Sequence, residues 1–121
     1  MEEKRKHKRI YFSVDEDFFV EIESKSTVRG RLLSLSEGGI SFFVPIEENP
    51  SYKKEDLIFL SSLKSEKEVI IDSLVFMSVR YAFEDRESKK VIYGCKFLDL
   101  SEKDRQKIKE LVDKKAKEFP I

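Results

Sequence analysis

Cysteine and histidine occur once each in these 121 residues, tryptophan is absent, and glycine and proline number only four and three. With Cys95 alone there is no disulfide framework and no cysteine-based zinc site, and a reducing cytoplasm is the compartment this usage fits. His7 is the only histidine, and it lies in a charged N-terminal run ill suited to holding a rigid catalytic pair, which argues against a hydrolase or zinc enzyme. No apolar run approaches membrane-spanning length and none follows Met1-Glu2-Glu3-Lys4, so neither export nor insertion is expected. Net charge is absent too: 24 basic residues balance 24 acidic ones, so no overall field marks a general nucleic-acid or membrane-surface binder. Any electrostatic function must come from local clustering. Asn49 and Gln106 are the only amides, a scarcity that fits a heat-adapted source and says nothing about function.

What is present is apolar material enough to fold. Hydrophobic residues make up 40% of the chain and phenylalanine occurs ten times, in a length suited to one domain with one core. Residues 2 to 9 contain no apolar member, so a flexible basic arm is expected over 1–12, ahead of a single folded domain over 13–121. From Phe18 the period becomes two, with Phe18, Val20 and Ile22 alternating with Glu21 and Glu23. A second strand is expected from Thr27 to about Ser34 with Val28, Gly30 and Leu32 on one face. After Ser36-Glu37-Gly38-Gly39, a glycine-bearing reversal, a third runs through Ile40, Phe42 and Val44. Pro45 and Pro50 bracket a loop without regular structure. Further β-type runs cover Leu57 to Leu60, about Glu68 to Phe83, and Val91 to Leu98, with a charged connection from Glu84 to Lys90.

Strands at this short spacing predict an all-β fold, a six-stranded antiparallel β-barrel, with one helix at its end. That helix is expected at about 101–119, with Ser101 as its cap and Ile108, Leu111, Val112 and Ala116 as one apolar stripe.

Two segments carry the chemistry. Within the arm, Lys4, Arg5, Lys6, Lys8 and Arg9 face only Glu2 and Glu3, a local excess of positive charge on a neutral chain. Arg5 and Arg9 lie four apart, and each planar fork suits a phosphate or the O6 and N7 edge of guanine. Read by itself, the arm is more simply a solvated charge cluster or leader than a binding element. In the turn Ser34 to Gly39, hydroxyls and exposed N–H groups offer hydrogen bonds and glycines permit close approach, although such a turn alone is more often just a hairpin connection. Cys95 reads as a small buried residue, Asp15-Glu16-Asp17 as a polar lead into a strand, and Arg29, Arg31 and Arg80 as cations whose faces the sequence leaves open.

In order and separation these pieces resemble the PilZ domain family, whose motifs are R-x-x-x-R in an N-terminal loop and D/N-x-S-x-x-G between strands. Arg5-Lys6-His7-Lys8-Arg9 matches the first in full; Ser34-Leu35-Ser36-Glu37-Gly38-Gly39 matches the second at Ser36 and Gly39, with Ser34 in the acidic or amide position. Val79-Arg80 and the run Tyr93 to Leu100 look like the closing strand of that family and its Gly-x-x-Phe pattern. The resemblance implies a bacterial, cytoplasmic, non-enzymatic receptor or adaptor for cyclic di-GMP that needs no cofactor and regulates a protein partner. It implies ligand contacts from Arg5, Arg9, Ser34, Ser36 and Gly39. A serine at position 34 offers one short oxygen where an Asp or Asn would accept from the guanine edge, a loss of about 1–3 kcal/mol if a donor goes unpaired. Ser34→Asp is therefore expected to tighten binding. Two other readings stand beside this one: a relative that has lost nucleotide binding and acts as a protein-interaction module, and a small single-strand-binding barrel.

Overall fold

The structure is a computed structural model that describes residues 9–12 and 16–118. Two buried residues, Val20 and Ile22, give β2 (Phe19–Glu23) its inward face, and its outward glutamates are half-buried on the other face. The other elements are β1 (Ile10–Tyr11), β3 (Thr27–Ser36), β4 (Gly39–Pro45), β5 (Leu57–Lys64), β6 (Val69–Ile71), β7 (Val75–Asp85), β8 (Lys90–Phe97) and α1 (Glu102–Glu118). All strand pairings are antiparallel, in the order β3-β2-β5-β7-β8-β4, and β4 returns to β3 to close a six-stranded barrel. The remaining two strands are short additions: β1 extends β3 and β6 pairs with β5. Closure removes the exposed edges that an open sheet of this length would present.

The barrel is filled by alternate residues of its staves, among them Val20, Ile22, Leu32, Phe42, Ile58, Leu60, Met77, Val79 and Tyr93. One end is closed by the segment after β4. Tyr93 donates its hydroxyl hydrogen to Asn49 Oδ1 and accepts from the Tyr52 N–H at 3.2 Å, and the two tyrosine rings lie 5.1 Å apart. α1 packs against β1, β3 and β6. It starts as its sequence predicts, with Ser101 Oγ accepting from the Asp104 N–H at 3.1 Å, and it buries Ile108, Leu111 and Val112. Full burial of Ile108 alone contributes about 1.5–3 kcal/mol.

Four expectations are refined. The inner end of the anticipated 1–12 arm is docked: Ile10 pairs with Leu35, and Ile10 and Phe12 are both buried. Two alternating apolar residues make too short a signal to stand out beside a basic run. The stretch from Glu68 to Phe83 is two strands, broken where the Ser73 hydroxyl donates to buried Asp104 of α1 at 2.8 Å. The connection after β7 is shorter than Glu84 to Lys90, because Asp85 Oδ1 accepts from the N–H groups of Glu87 and Ser88 and turns the chain at once. The loop after Pro45 contains a single 3₁₀ turn, Ile46–Glu48.

Candidate functional site

Strand alternation alone would send Ser34 and Ser36 into the barrel, in phase with Gly30 and Leu32. A bulge intervenes. β3 pairs Leu32 with Phe42 and Leu35 with Ile40, and the extra residue between them turns Leu35 inward and both serines outward. β7 does the same: Val79 pairs with Cys95, Tyr81 with Gly94, and Arg80 is the additional residue. Tyr81, which would otherwise follow Met77 and Val79 into the core, is 46% exposed on the outside. The two bulges therefore aim polar and aromatic groups at one stretch of outer wall, with β4 and β8 between them.

A cleft of about 750 Å³ lies on that wall, within the size range of small-ligand sites. Its lining includes Arg9, the hairpin from Ser36 to Ile40, Arg80, Tyr81, Gly94 to Leu98, Leu100 and Arg105. Arg9, Arg80, Lys96 and Arg105 give it four cations against one acid, Glu37. Arg105 is engaged only loosely, with Nε 3.7 Å from Glu102. Among the described residues Arg9 Nε is buried without a hydrogen-bond partner, an arrangement that costs free energy until an acceptor is supplied.

The hairpin is fixed from within. Ser36 Oγ accepts from the Gly38 N–H at 3.1 Å, which leaves its hydroxyl hydrogen to donate, and Gly38 O accepts from the Phe97 N–H at 2.9 Å. Gly39 has no alternative: a Cβ there would stand 2.1 Å from the carbonyl oxygen of Cys95. Burial pushes the Cys95 thiol up to about 12, so it is an inert neighbour of the cleft.

The structure thus brings Arg9, Ser36 and Gly39 together. Ser34 stands apart from the lining. It is on the same sheet face but only 1% exposed, and it shares a 2.5 Å hydrogen bond with Ser41. Arg5 lies outside the described residues. Of the three cations whose faces were open, Arg29 and Arg31 lie over the Phe19 ring, Arg31 also pairs with Asp17 at 2.8 Å, and Arg80 joins the cleft. Sequence reasoning missed Tyr81, Lys96 and Arg105; the one available signal was Gly94, a glycine inside a strand, which marks close approach. Among the described residues no cluster of His, Cys, Asp or Glu could hold a metal, and no helix is long and apolar enough to cross a membrane.

Residues 3–114 match the PilZ domain family. No curated protein matches the chain. Among solved structures, the inhibitor of motility MotI/DgrA of Bacillus subtilis superposes with a TM-score of 0.77 at 17% identity, covering 98% of this chain and 54% of that one. The MrkH–c-di-GMP complex of K. pneumonia gives 0.75 at 14%, covering 96% and 54%. The PilZ domain of Escherichia coli YcgR with c-di-GMP gives 0.68 at 16%, covering 96% of each chain. The chain spans about half the length of MotI and MrkH.

Proposed function

Since the chain belongs to the PilZ domain family, we propose that it is a cytoplasmic receptor for cyclic di-GMP, held in the cleft between β1, the β3–β4 hairpin and β8. The observation that carries this reading is the concentration of Arg9, Arg80, Lys96 and Arg105 around one concave surface of a chain with no net charge. A compact diester with two purines matches it: phosphates take the cations, and guanine O6 and N7 take a planar guanidinium fork. Arg9, with its buried and unsatisfied Nε, and Arg5 of the preceding segment clasp the ligand. Ser36 donates from the hairpin, in the turn that Gly39 closes against β8.

The arm closes over the nucleotide, which changes the surface offered to a regulated protein. Its work is binding rather than catalysis. Solved relatives that hold c-di-GMP in the same fold, YcgR and MrkH, support the choice of ligand.

Calorimetric titration with cyclic di-GMP tests this. Saturable binding is expected, weakened roughly tenfold to a hundredfold by Arg5→Ala or Arg9→Ala, the loss of a charge-assisted hydrogen bond. Silence from the wild-type chain would refute it. It would favour the second reading, a protein-interaction module without nucleotide, for which the specific observation is Ser34 bonded to Ser41 instead of facing the cleft.

A further inference from the structure

We propose that Tyr81 is the stacking platform for one purine ring of the ligand and that Arg80 meets the ligand beside it, a role that rests on the cleft being a nucleotide site. Tyr81 is on the outside only because of the β7 bulge, and the bulge is built with care. The Val79 N–H donates to Asp56 O at 2.9 Å and the Glu55 N–H donates to Val79 O at 2.7 Å, so a loop from elsewhere in the chain holds the irregular strand in place. To do so Glu55 adopts a φ of 76°, in the left-handed region that non-glycine residues rarely occupy.

One face of the ring is covered and the other is left to solvent. The ring lies on Gly94, where an added Cβ would be 2.0 Å from Tyr81 Cε2 and 2.3 Å from Cζ. Glycine within a strand costs stability, and here its absent side chain is the space the ring occupies. The result is a flat aromatic surface, backed by one strand's main chain and open on its other side, beside cationic Arg80 and Lys96. An aromatic face at the base of a positively charged groove is the arrangement that receives nucleobases by stacking. The platform lies three strands from Ser36, about 14 Å at ordinary strand spacing. A single base held by the hairpin does not reach that far, but the second half of a dinucleotide does.

Titration of the full chain with cyclic di-GMP tests the platform. Tyr81→Ala is expected to lose roughly 5- to 150-fold in affinity, Tyr81→Phe to restore it, and Arg80→Ala to lose less. Phe83→Ala, an exposed aromatic outside the cleft, serves as the control and is expected to match wild type. In wild-type protein the Tyr81 ring protons should also move upfield in NMR spectra at saturation, a readout independent of whether any variant folds. Full-strength binding by Tyr81→Ala, or ring protons that stay put at saturation, would overturn the platform alone. Absence of binding by wild type would overturn the nucleotide reading beneath it.

Discussion

The two faces of β8 do different work. Inward, Val91, Tyr93, Cys95 and Phe97 are buried in the barrel; outward, Gly94 and Lys96 belong to the cleft. Alternation separates these roles at a resolution of one residue. The inner set is apolar and tightly packed, and its one polar end, the Tyr93 hydroxyl, is consumed by Asn49 and Tyr52. The outer set is a glycine that makes room and a lysine that supplies charge. The lesson is that stability and ligand affinity should be separable by substitution along this single strand.

The largest expected effect is on the inner face. Tyr93→Ala removes a fully buried aromatic and strands the Tyr52 N–H, and should destabilise the barrel by about 3–5 kcal/mol in urea unfolding. A change under about 1 kcal/mol would mean that this end of the barrel is not packed as described.

The same face should show itself in pH dependence. Burial holds the Cys95 thiol at about 12 in the folded chain against its ordinary value of 9.0. The unfolded chain therefore loses its proton first, and stability is full below about pH 9 and declines as pH rises toward 12. The raised hydroxyls of Tyr52 and Tyr93, also caused by burial, add to the decline above pH 10. Urea midpoints at pH 8 and pH 10.5 should differ in wild type and differ less in Cys95→Ala; equal shifts in both would contradict the burial of that thiol.

The smallest effect is expected at the margin between the two roles. Ser34→Asp should tighten cyclic di-GMP binding by roughly tenfold, because a carboxylate extends beyond the Ser41 contact and accepts from guanine N–H groups. Unchanged or weaker binding in the same titration would show that position 34 stays turned to Ser41 and outside the ligand's reach.

How much of this was legible depended on whether a feature is periodic. Val20 with Ile22, Phe42 with Val44, and the stripe Ile108, Leu111, Val112 announce their elements because burial imposes a repeat of two or of three to four. Ser101 announces the helix start because the cap is a local hydrogen bond. The bulges at Leu33 and Arg80 break a period for one residue and leave no compositional trace, so the outward turn of Tyr81 was invisible. The break at Asp72-Ser73 was hidden in the same way, because apolar runs flank it on both sides. The cleft itself gathers Arg9, Arg80, Lys96 and Arg105 from four separate elements or segments. Only the family motif linked Arg9 to Ser36 and Gly39; nothing linear linked them to the rest.

A crystal structure grown in excess nucleotide decides whether the outer wall formed by β8, β4 and the bulged strands β3 and β7 is a cyclic di-GMP site. Electron density for the ligand is expected against Arg9, Ser36 and Lys96, with a purine over Tyr81. Density for the nucleotide on another surface, with this cleft holding solvent alone, would contradict that assignment.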